Sequence, residues 1–217
     1  MSTQANQVSQ KPARLNRAVL WSVVSAVVVV GAIGFDTKVV KIGSEADVRQ
    51  QVFSPEAYGA AEFPKVKASV EERAAEAVEV GTALVADKDA AGKKYGVGSV
   101  NPVIPVKFTG TVEERKSNYN IIKVDGFPEG MTIRVQTGPA VNGTDLRDAT
   151  GTIEFGQFKN QIEFQNAGSA LNNEMKKQVL EGVDVNNLVG KTVSVTGVFK
   201  LVNPKNWLVT PVGLEVK

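Results

Sequence analysis

Residues 103–114 read VIPVKFTGTVEE, and from this point of the chain apolar and polar side chains alternate with a period of two. This alternation is typical of β-strands that bury one face. Residues 119–124 (YNIIKV) and 131–137 (MTIRVQT) repeat the pattern, and the short polar segments KSN and DGFPEG separate the three. The sequence therefore predicts three consecutive strands joined by turns.

The remaining part of this region predicts a helix and two more strands. After a loop and a short alternating piece at residues 152–155 (TIEF), a helical stretch runs to about Glu181. Strands follow at residues 191–201 (KTVSVTGVFKL) and 207–216 (WLVTPVGLEV), and a glycine inside the first suits a bend. Three strands, a helix and two strands are the order of the five-stranded oligonucleotide/oligosaccharide-binding (OB) barrel. The predicted inward face of the helix consists of Ala167, Ala170, Leu171, Met175, Val179 and Leu180.

The predicted fold class is thus α+β, with an OB-like barrel over residues 101–217 and a helical insertion between strands 3 and 4. Residues 36–100 are predicted to form a helical, membrane-proximal segment. A short strand is predicted at residues 35–44 (FDTKVVKIGS). Ser54 and Pro55 are a helix start signal.

Within this helical segment, Pro64 is expected to interrupt the helix that starts at Pro55. A second, amphipathic helix is predicted over residues 68–86. A turn-rich connector is predicted over residues 87–99 (DKDAAGKKYGVGS).

The N-terminal part predicts a membrane anchor. Residues 18–35 (AVLWSVVSAVVVVGAIGF) carry no charge, and as a helix they would span about 27 Å, close to the hydrocarbon thickness of a bilayer. Residues 1–17, whose charged side chains are Lys11, Arg14 and Arg17, predict a disordered tail that stays in the cytoplasm and sends the C-terminal domain outward. A cleaved signal peptide ending near residues 32–34 (AIG) is the alternative.

Composition excludes many enzyme classes. The 217-residue chain contains no cysteine and no histidine, so it cannot form a Ser-His-Asp triad, a cysteine nucleophile, a disulfide or an ordinary zinc site. Its net charge is +2, and outside the basic tail 22 Lys and Arg residues face 23 Asp and Glu residues. A nucleic-acid binder needs a concentrated basic face. We therefore expect no catalysis, no metal, no cofactor and no nucleic-acid partner.

Two polar groups are candidate ligand- or partner-binding residues. The first is Thr144, Asp145, Arg147 and Asp148, in which an aspartate–arginine pair could orient a sugar hydroxyl or a carboxylate. The second is Asn160 and Gln161, whose amides suit carbohydrate hydroxyls. For each group a purely structural role is the alternative. In the first group the Asp residues would cap a turn and hold the arginine, and in the second the amides would belong to a helix start.

Two other kinds of site receive less support from the sequence. Carboxylates for glycoside hydrolysis could come from Asp145, Asp148, Glu154 and Glu163, but a chain with this many acids offers such pairs by chance. Tyr119 and Trp207 are the only strand aromatics suited to stack on a base or a sugar, and packing in the core or at the rim is the alternative.

The chain resembles a bacterial family known as domain of unknown function 2291, described as predicted periplasmic lipoproteins. The resemblance is carried by FDTKVVKIGS, FSPEAYGAAEFPKV, DKDAAGKKYG, LVGKTVSVTGVF and, most specifically, residues 137–172 (TGPAVNGTDLRDATGTIEFGQFKNQIEFQNAGSALN). It implies an extracytoplasmic, membrane-attached protein, often encoded beside sugar-type ABC transporter genes. It implies no established activity and no functional residues.

One departure from the family matters, because lipoproteins place a cysteine at the end of the apolar segment and this chain has none. We therefore expect attachment through the helix itself, as a single-pass protein of the cytoplasmic membrane. The predicted function is an accessory protein of a sugar-type ABC transporter that contacts its permease or solute-binding protein. A saccharide- or glycan-binding OB-like module is the alternative, and a carboxylate-dependent hydrolase ranks third.

Overall fold

The computed structural model describes residue 21, residues 24–31 and residues 53–217. Val52–Lys217 form one compact unit. Of the predicted membrane span, the nine described residues are helical, and no helix among the described residues is both long and apolar enough to cross a bilayer. The rest of that span, the predicted tail and the predicted strand at residues 35–44 lie outside the described residues.

The first helix of the compact unit, α1 (Pro55–Arg73), begins where the sequence predicts. The hydroxyl of Ser54 accepts a hydrogen bond from the Ala57 amide at 3.4 Å, and Pro55 occupies the first helical position. The predicted interruption at Pro64 is wrong, because the helix continues through this residue. A proline removes one hydrogen bond of the helix, and the burial of the neighbouring Phe63 and Val66 stabilises the helical conformation against that loss.

The single helix predicted over residues 68–86 is also wrong, because two residues within it pair with the barrel. Ala75–Glu76 form the short strand β1, which lies parallel to Val106 and Lys107. Helix α2 (Ala77–Ala86) follows directly. A tertiary pairing therefore interrupts the helix that the periodicity predicted.

The segment predicted as a connector contains helix α3 (Lys88–Tyr95), so this prediction is wrong as well. Asp87 caps the helix, since its Oδ1 accepts hydrogen bonds from the amides of Asp89 at 2.9 Å and Ala90 at 3.0 Å. An aspartate before a helical turn is a recognised start signal, and it was present in the sequence.

Five further strands close into a barrel, which confirms the predicted architecture. They are β2 (Val103–Lys116), β3 (Tyr119–Lys123), β4 (Thr132–Gln136), β5 (Thr192–Lys200) and β6 (Asn206–Val216). The neighbouring pairs β2–β3, β3–β4, β5–β6 and β2–β5 are antiparallel, whereas β4 and β6 are parallel. Because β2 pairs with both β3 and β5, the barrel has no free edge along this circuit.

The glycine predicted to bend the fourth barrel strand does so. The register between β5 and β6 shifts between Thr196 and Gly197. A Cβ atom at Gly197 would lie 2.5 Å from the carbonyl oxygen of Thr210, so only glycine permits this approach of the two backbones.

Large aromatic side chains fill the barrel beside this bend. Trp207 and Phe199 stack with ring centroids 4.2 Å apart, and both are fully buried. The indole nitrogen of Trp207 donates to the Pro204 carbonyl at 2.8 Å, which satisfies its hydrogen-bonding need in the interior.

The insertion between β4 and β5 contains a one-turn helix α4 (Asp145–Asp148), a 3₁₀ turn (Phe155–Gln157) and helix α5 (Gln161–Met175), which a π-helical turn (Lys176–Leu180) extends. The predicted inward face of α5 is buried throughout. Helices α1 and α5 approach so closely that a Cβ at Gly59 would lie 2.7 Å from the Ala170 carbonyl oxygen. The alternating piece at residues 152–155 is not a strand.

Candidate functional site

The first group of predicted site residues converges on the carboxylate of Asp148. The Thr144 hydroxyl donates to Asp148 Oδ2 at 2.7 Å, and Lys200 Nζ, from β5, donates to the same oxygen at 3.0 Å. Arg147 Nε donates to Asp148 Oδ1 at 2.8 Å, and Arg147 Nη2 lies 2.8 Å from that oxygen. Asp148 thus accepts hydrogen bonds from three side chains. We call Thr144, Arg147, Asp148 and Lys200 the ion cluster.

Arg147 links the ion cluster to the aromatic side chains of the insertion. Only 8% of this residue is exposed. Its Nη1 donates to the Phe164 carbonyl at 3.2 Å, and its guanidinium carbon lies 3.7 Å from the centroid of the Phe164 ring. A buried arginine that is paired, hydrogen-bonded and stacked has most of its interactions satisfied within the chain. The predicted aspartate–arginine pair is present, and it is directed inward.

Asp145 and Asp148 belong to the same turn, but their carboxyl groups have opposite tendencies to ionise. Burial raises the pKa of Asp145 to about 6, and the negative charge of Asp148 adds to this rise, while Lys200 opposes it. Burial also disfavours ionisation of Asp148, but hydrogen bonds from Thr144, Lys200 and Arg147 outweigh it and hold the pKa below its ordinary value. Hydrogen bonding within the protein therefore accounts for the difference.

Asn160 and Gln161 have different roles, although they are adjacent. Asn160 caps α5, since its Oδ1 accepts the Glu163 amide at 2.9 Å. Glu163 reaches back to accept the Lys159 amide at 3.0 Å, an arrangement close to a capping box. Gln161 is exposed in the first turn. The structural alternative describes Asn160 well, and the Glu163 carboxylate considered for hydrolysis is part of this cap.

The two candidate stacking residues also differ. Trp207 is completely buried, so it cannot serve as a platform at the surface. Tyr119 is half-buried on β3, and Arg134 on the adjacent strand β4 stacks over its ring at 5.2 Å. Arg134 Nε is buried and forms no hydrogen bond with any part of the chain that the structure describes. Sequence reasoning missed Arg134, because only the strand register places Arg134 beside Ile121, two residues from Tyr119.

A cavity lies beside this pair of strands. It has a volume of about 280 Å³, and it is lined by residues of β3 and of the turn leading into β4, among them Ile121, Lys123, Met131 and Thr132. Glu113 from β2 completes one side. The Tyr119–Arg134 pair and this cavity are therefore on neighbouring parts of the barrel wall that β3 and β4 form.

A buried polar network holds the loop after β4 against the barrel. Gln136 Nε2 donates to the Thr210 hydroxyl at 2.7 Å and to the Asn142 carbonyl at 3.1 Å, and its Oε1 accepts the Asn142 amide at 3.1 Å. Asn172 Nδ2 donates to the Gly143 carbonyl at 2.9 Å. These bonds position the loop that carries Thr144 and Asp145, and they engage both polar atoms of the Gln136 side chain within the protein.

No cluster of three or more potential metal-ligating side chains occurs among the residues that the structure describes. The donor set of the ion cluster also does not suit a cation, because Arg147 and Lys200 already neutralise Asp148.

Comparison with known proteins supports the fold and the family. The family model described as "Predicted periplasmic lipoprotein (DUF2291)" matches residues 24–215. An OB-fold protein from Thermotoga maritima, known from a crystal structure, is similar in fold with a TM-score of 0.62. The two sequences are 21% identical, and the similarity covers 77% of this chain and all of that one. A comparison with curated proteins found no match.

Proposed function

The chain belongs to this family of predicted periplasmic lipoproteins, and we propose that it is a non-catalytic accessory protein on the extracytoplasmic side of the cytoplasmic membrane. Residues 18–35 anchor it, with the N-terminus inside. The observation that carries the proposal is the ion cluster, in which the polar residues best suited to chemistry bond to one another instead of facing a substrate pocket.

The ion cluster has a mechanical consequence that suits an accessory protein. Lys200 belongs to the barrel, Asp148 to α4, and Arg147 contacts α5 through Phe164. The chain of contacts therefore braces the insertion against β5. Ionic hydrogen bonds that are poorly exposed to solvent are strong and directional. They hold the insertion rigidly on the barrel, and a rigid surface binds a partner at a lower entropic cost.

The partner we propose is a sugar-type ABC transporter, contacted through its permease or its solute-binding protein. The experiment is co-purification of the full-length protein from its native membrane in mild detergent, followed by identification of the bound proteins. Recovery of a permease or a solute-binding protein supports the proposal. Repeated recovery of the protein without any transporter subunit would contradict it. In the variant Asp148→Ala, which lacks the contacts between the insertion and β5, we expect less partner to be recovered at equal protein yield.

A second candidate function is saccharide binding at the outer face of β3 and β4. The Tyr119–Arg134 pair favours it, since a half-buried ring and a guanidinium with an unused donor are groups that recognise sugars. The experiment is titration calorimetry of residues 36–217 with a panel of neutral and acidic oligosaccharides. Heat that disappears when Tyr119 is replaced by alanine supports binding at this face, whereas an absence of heat with every sugar favours the accessory function.

A further inference from the structure

Five aromatic rings form a continuous cluster next to the ion cluster. They belong to Phe53, Tyr58, Phe155, Phe158 and Phe164. Phe53 lies 5.4 Å from Tyr58 and 5.8 Å from Phe158, and Phe158 lies 5.7 Å from Tyr58 and 5.4 Å from Phe164. Phe155 meets Phe164 edge-on at 5.7 Å. All distances join ring centroids. We call these five residues the aromatic cluster.

The aromatic cluster is not a sealed core. Phe155 is 50% exposed, and Phe53, Tyr58, Phe158 and Phe164 are each only partly buried. Ile162, in the first turn of α5, is 69% exposed. Because Phe155 contacts Phe164 of α5, two exposed apolar side chains, Phe155 and Ile162, belong to the region around the start of this helix. A single exposed apolar side chain is ordinary, but a group of them marks a contact surface.

Phe53, one of the five rings, is the first described residue of the compact unit, so the chain that comes from the N-terminal segment enters the unit at the aromatic cluster. Residues 36–52 separate the apolar stretch 18–35 from Phe53. A chain of this length reaches about 60 Å at most when fully extended. A surface joined to an anchor by a tether of this length has a high effective concentration at the membrane.

From these observations we infer that the aromatic cluster, through its exposed ring Phe155 and together with Ile162 at the start of α5, rests in the lipid surface to which the protein is attached. Tyr side chains favour the boundary between lipid headgroups and acyl chains, because the ring is apolar and the hydroxyl is polar, and exposed Phe and Ile side chains can bury their apolar groups just below it. Tyr58, whose pKa burial raises to about 12 with a contribution from Glu62, remains neutral and can enter this boundary. The inference rests on the proposed membrane attachment.

The ion cluster gives the contact its rigidity. Arg147 stacks on Phe164 and donates to its carbonyl, while Asp148 connects Arg147 to Lys200 of the barrel. Insertion of Phe155 and Ile162 into lipid would therefore set the orientation of the barrel as well as its distance from the membrane. Apolar burial drives the contact, and because Glu154 and Glu163 offer no attraction to anionic headgroups, we expect no increase in binding on anionic lipid.

The experiment uses single cysteines in the full-length protein, which contains no cysteine of its own. The test variants are Phe155→Cys and Ile162→Cys. The matched controls are Val85→Cys and Val202→Cys, which replace valines that are 66% and 63% exposed elsewhere on the unit. Each protein is labelled with bimane and reconstituted into vesicles of phosphatidylethanolamine and phosphatidylglycerol, with or without brominated lipid, and its flotation with the vesicles is measured in parallel.

The expected result is a blue shift of the bimane emission and quenching by brominated lipid at positions 155 and 162, with neither effect at positions 85 and 202. If the protein floats with the vesicles but the labels at 155 and 162 remain in water, or if all four labels respond alike, the inference is wrong while membrane attachment stands. Failure of every variant to float would overturn the proposed attachment itself. A shift at 155 and 162 that grows with protein concentration in lipid-free detergent would assign the surface to self-association instead.

Discussion

Two arginines in the part of the chain that the structure describes stack on an aromatic ring. The difference between them separates a polar group that has a structural role from one that could bind a ligand. Arg147 lies 3.7 Å above Phe164, donates to Asp148 and to the Phe164 carbonyl, and is almost completely buried. Arg134 lies 5.2 Å from the Tyr119 ring, and its Nε bonds to nothing that the structure describes. A buried charge must be satisfied by the chain or by a ligand. Arg147 has its partners already, so Arg134 is the better candidate for recognition.

The largest effect is expected from removal of the Asp148 carboxylate. Asp148→Ala leaves Arg147 and Lys200 without their common partner in a poorly exposed site, and we expect the free energy of unfolding of residues 52–217 to fall by about 3 kcal/mol. Urea unfolding followed by circular dichroism measures this. Glu71→Ala is the control, because it removes an exposed ion pair with Lys67 at 3.8 Å and should change stability by less than about 0.5 kcal/mol. Equal effects of the two variants would contradict a structural role for the ion cluster.

The comparison of the two arginines is tested by the same substitution at both. Arg147→Met should lower the free energy of unfolding by about 2 kcal/mol, because Asp148 loses its paired guanidinium. Arg134→Met removes a buried donor that bonds to no described atom, so we expect a change of less than about 1 kcal/mol in either direction. Both values come from urea unfolding at pH 7. A larger loss of stability for Arg134→Met than for Arg147→Met would contradict the assignment of Arg147 as the structural arginine and of Arg134 as the available one.

The two aspartates should make the stability depend on pH in opposite directions. The pKa of Asp145 is about 6 in the folded protein, above its ordinary value of 3.8, so the folded state binds more protons and stability falls as the pH rises through this range. The pKa of Asp148 is lowered in the folded protein. Its carboxylate therefore stabilises the fold above the ordinary pKa, and this stabilisation is lost as the pH falls through the pKa of the folded state.

Asp145→Asn therefore provides the test. It should raise the free energy of unfolding at pH 7.5 by about 1 kcal/mol, a value reduced for the partial exposure of the carboxyl group, and the gain should vanish by pH 4. The urea midpoint is measured across this range. A gain that is the same at every pH would show that burial of the Asp145 charge is not the cause.

The smallest effects are expected at Asn160 and Gln161, two adjacent residues that the sequence predicted as one binding group. Asn160→Ala removes the N-cap of α5 and should cost about 1 kcal/mol, whereas Gln161→Ala at an exposed position should change stability by less than about 0.5 kcal/mol. Urea unfolding of both variants is the measurement. If Gln161→Ala is the more destabilising of the two, the assignment of Asn160 as a cap is wrong.

The sequence predicted most of the barrel, because the signals for its parts are local. Alternation located the five strands, the Ser54–Pro55 pair located the start of α1, and the spacing of Ala167, Leu171 and Met175 identified the buried face of α5. Two of the three errors in the helical segment have a common origin. Tertiary contacts with distant parts of the chain keep α1 helical through Pro64 and pair β1 with the barrel. No local pattern in the sequence records such contacts. The third error, at α3, is different, because the start signal of this helix is the N-cap Asp87, which is local and was present in the sequence.

The candidate site was harder to interpret, since residue types suggest chemistry without showing which groups are free. The sequence by itself determined that Cys and His chemistry is excluded, that the C-terminal region folds as an OB-like barrel, and that Thr144, Asp145, Arg147 and Asp148 lie in one turn. Only the tertiary structure decided that Lys200, 52 residues after Asp148, completes their ion cluster. It also decided that Arg134 stacks on Tyr119 and that its Nε has no hydrogen-bond partner among the described residues. The physical reason is that side-chain partners across a barrel are set by strand register and closure, which depend on the whole chain.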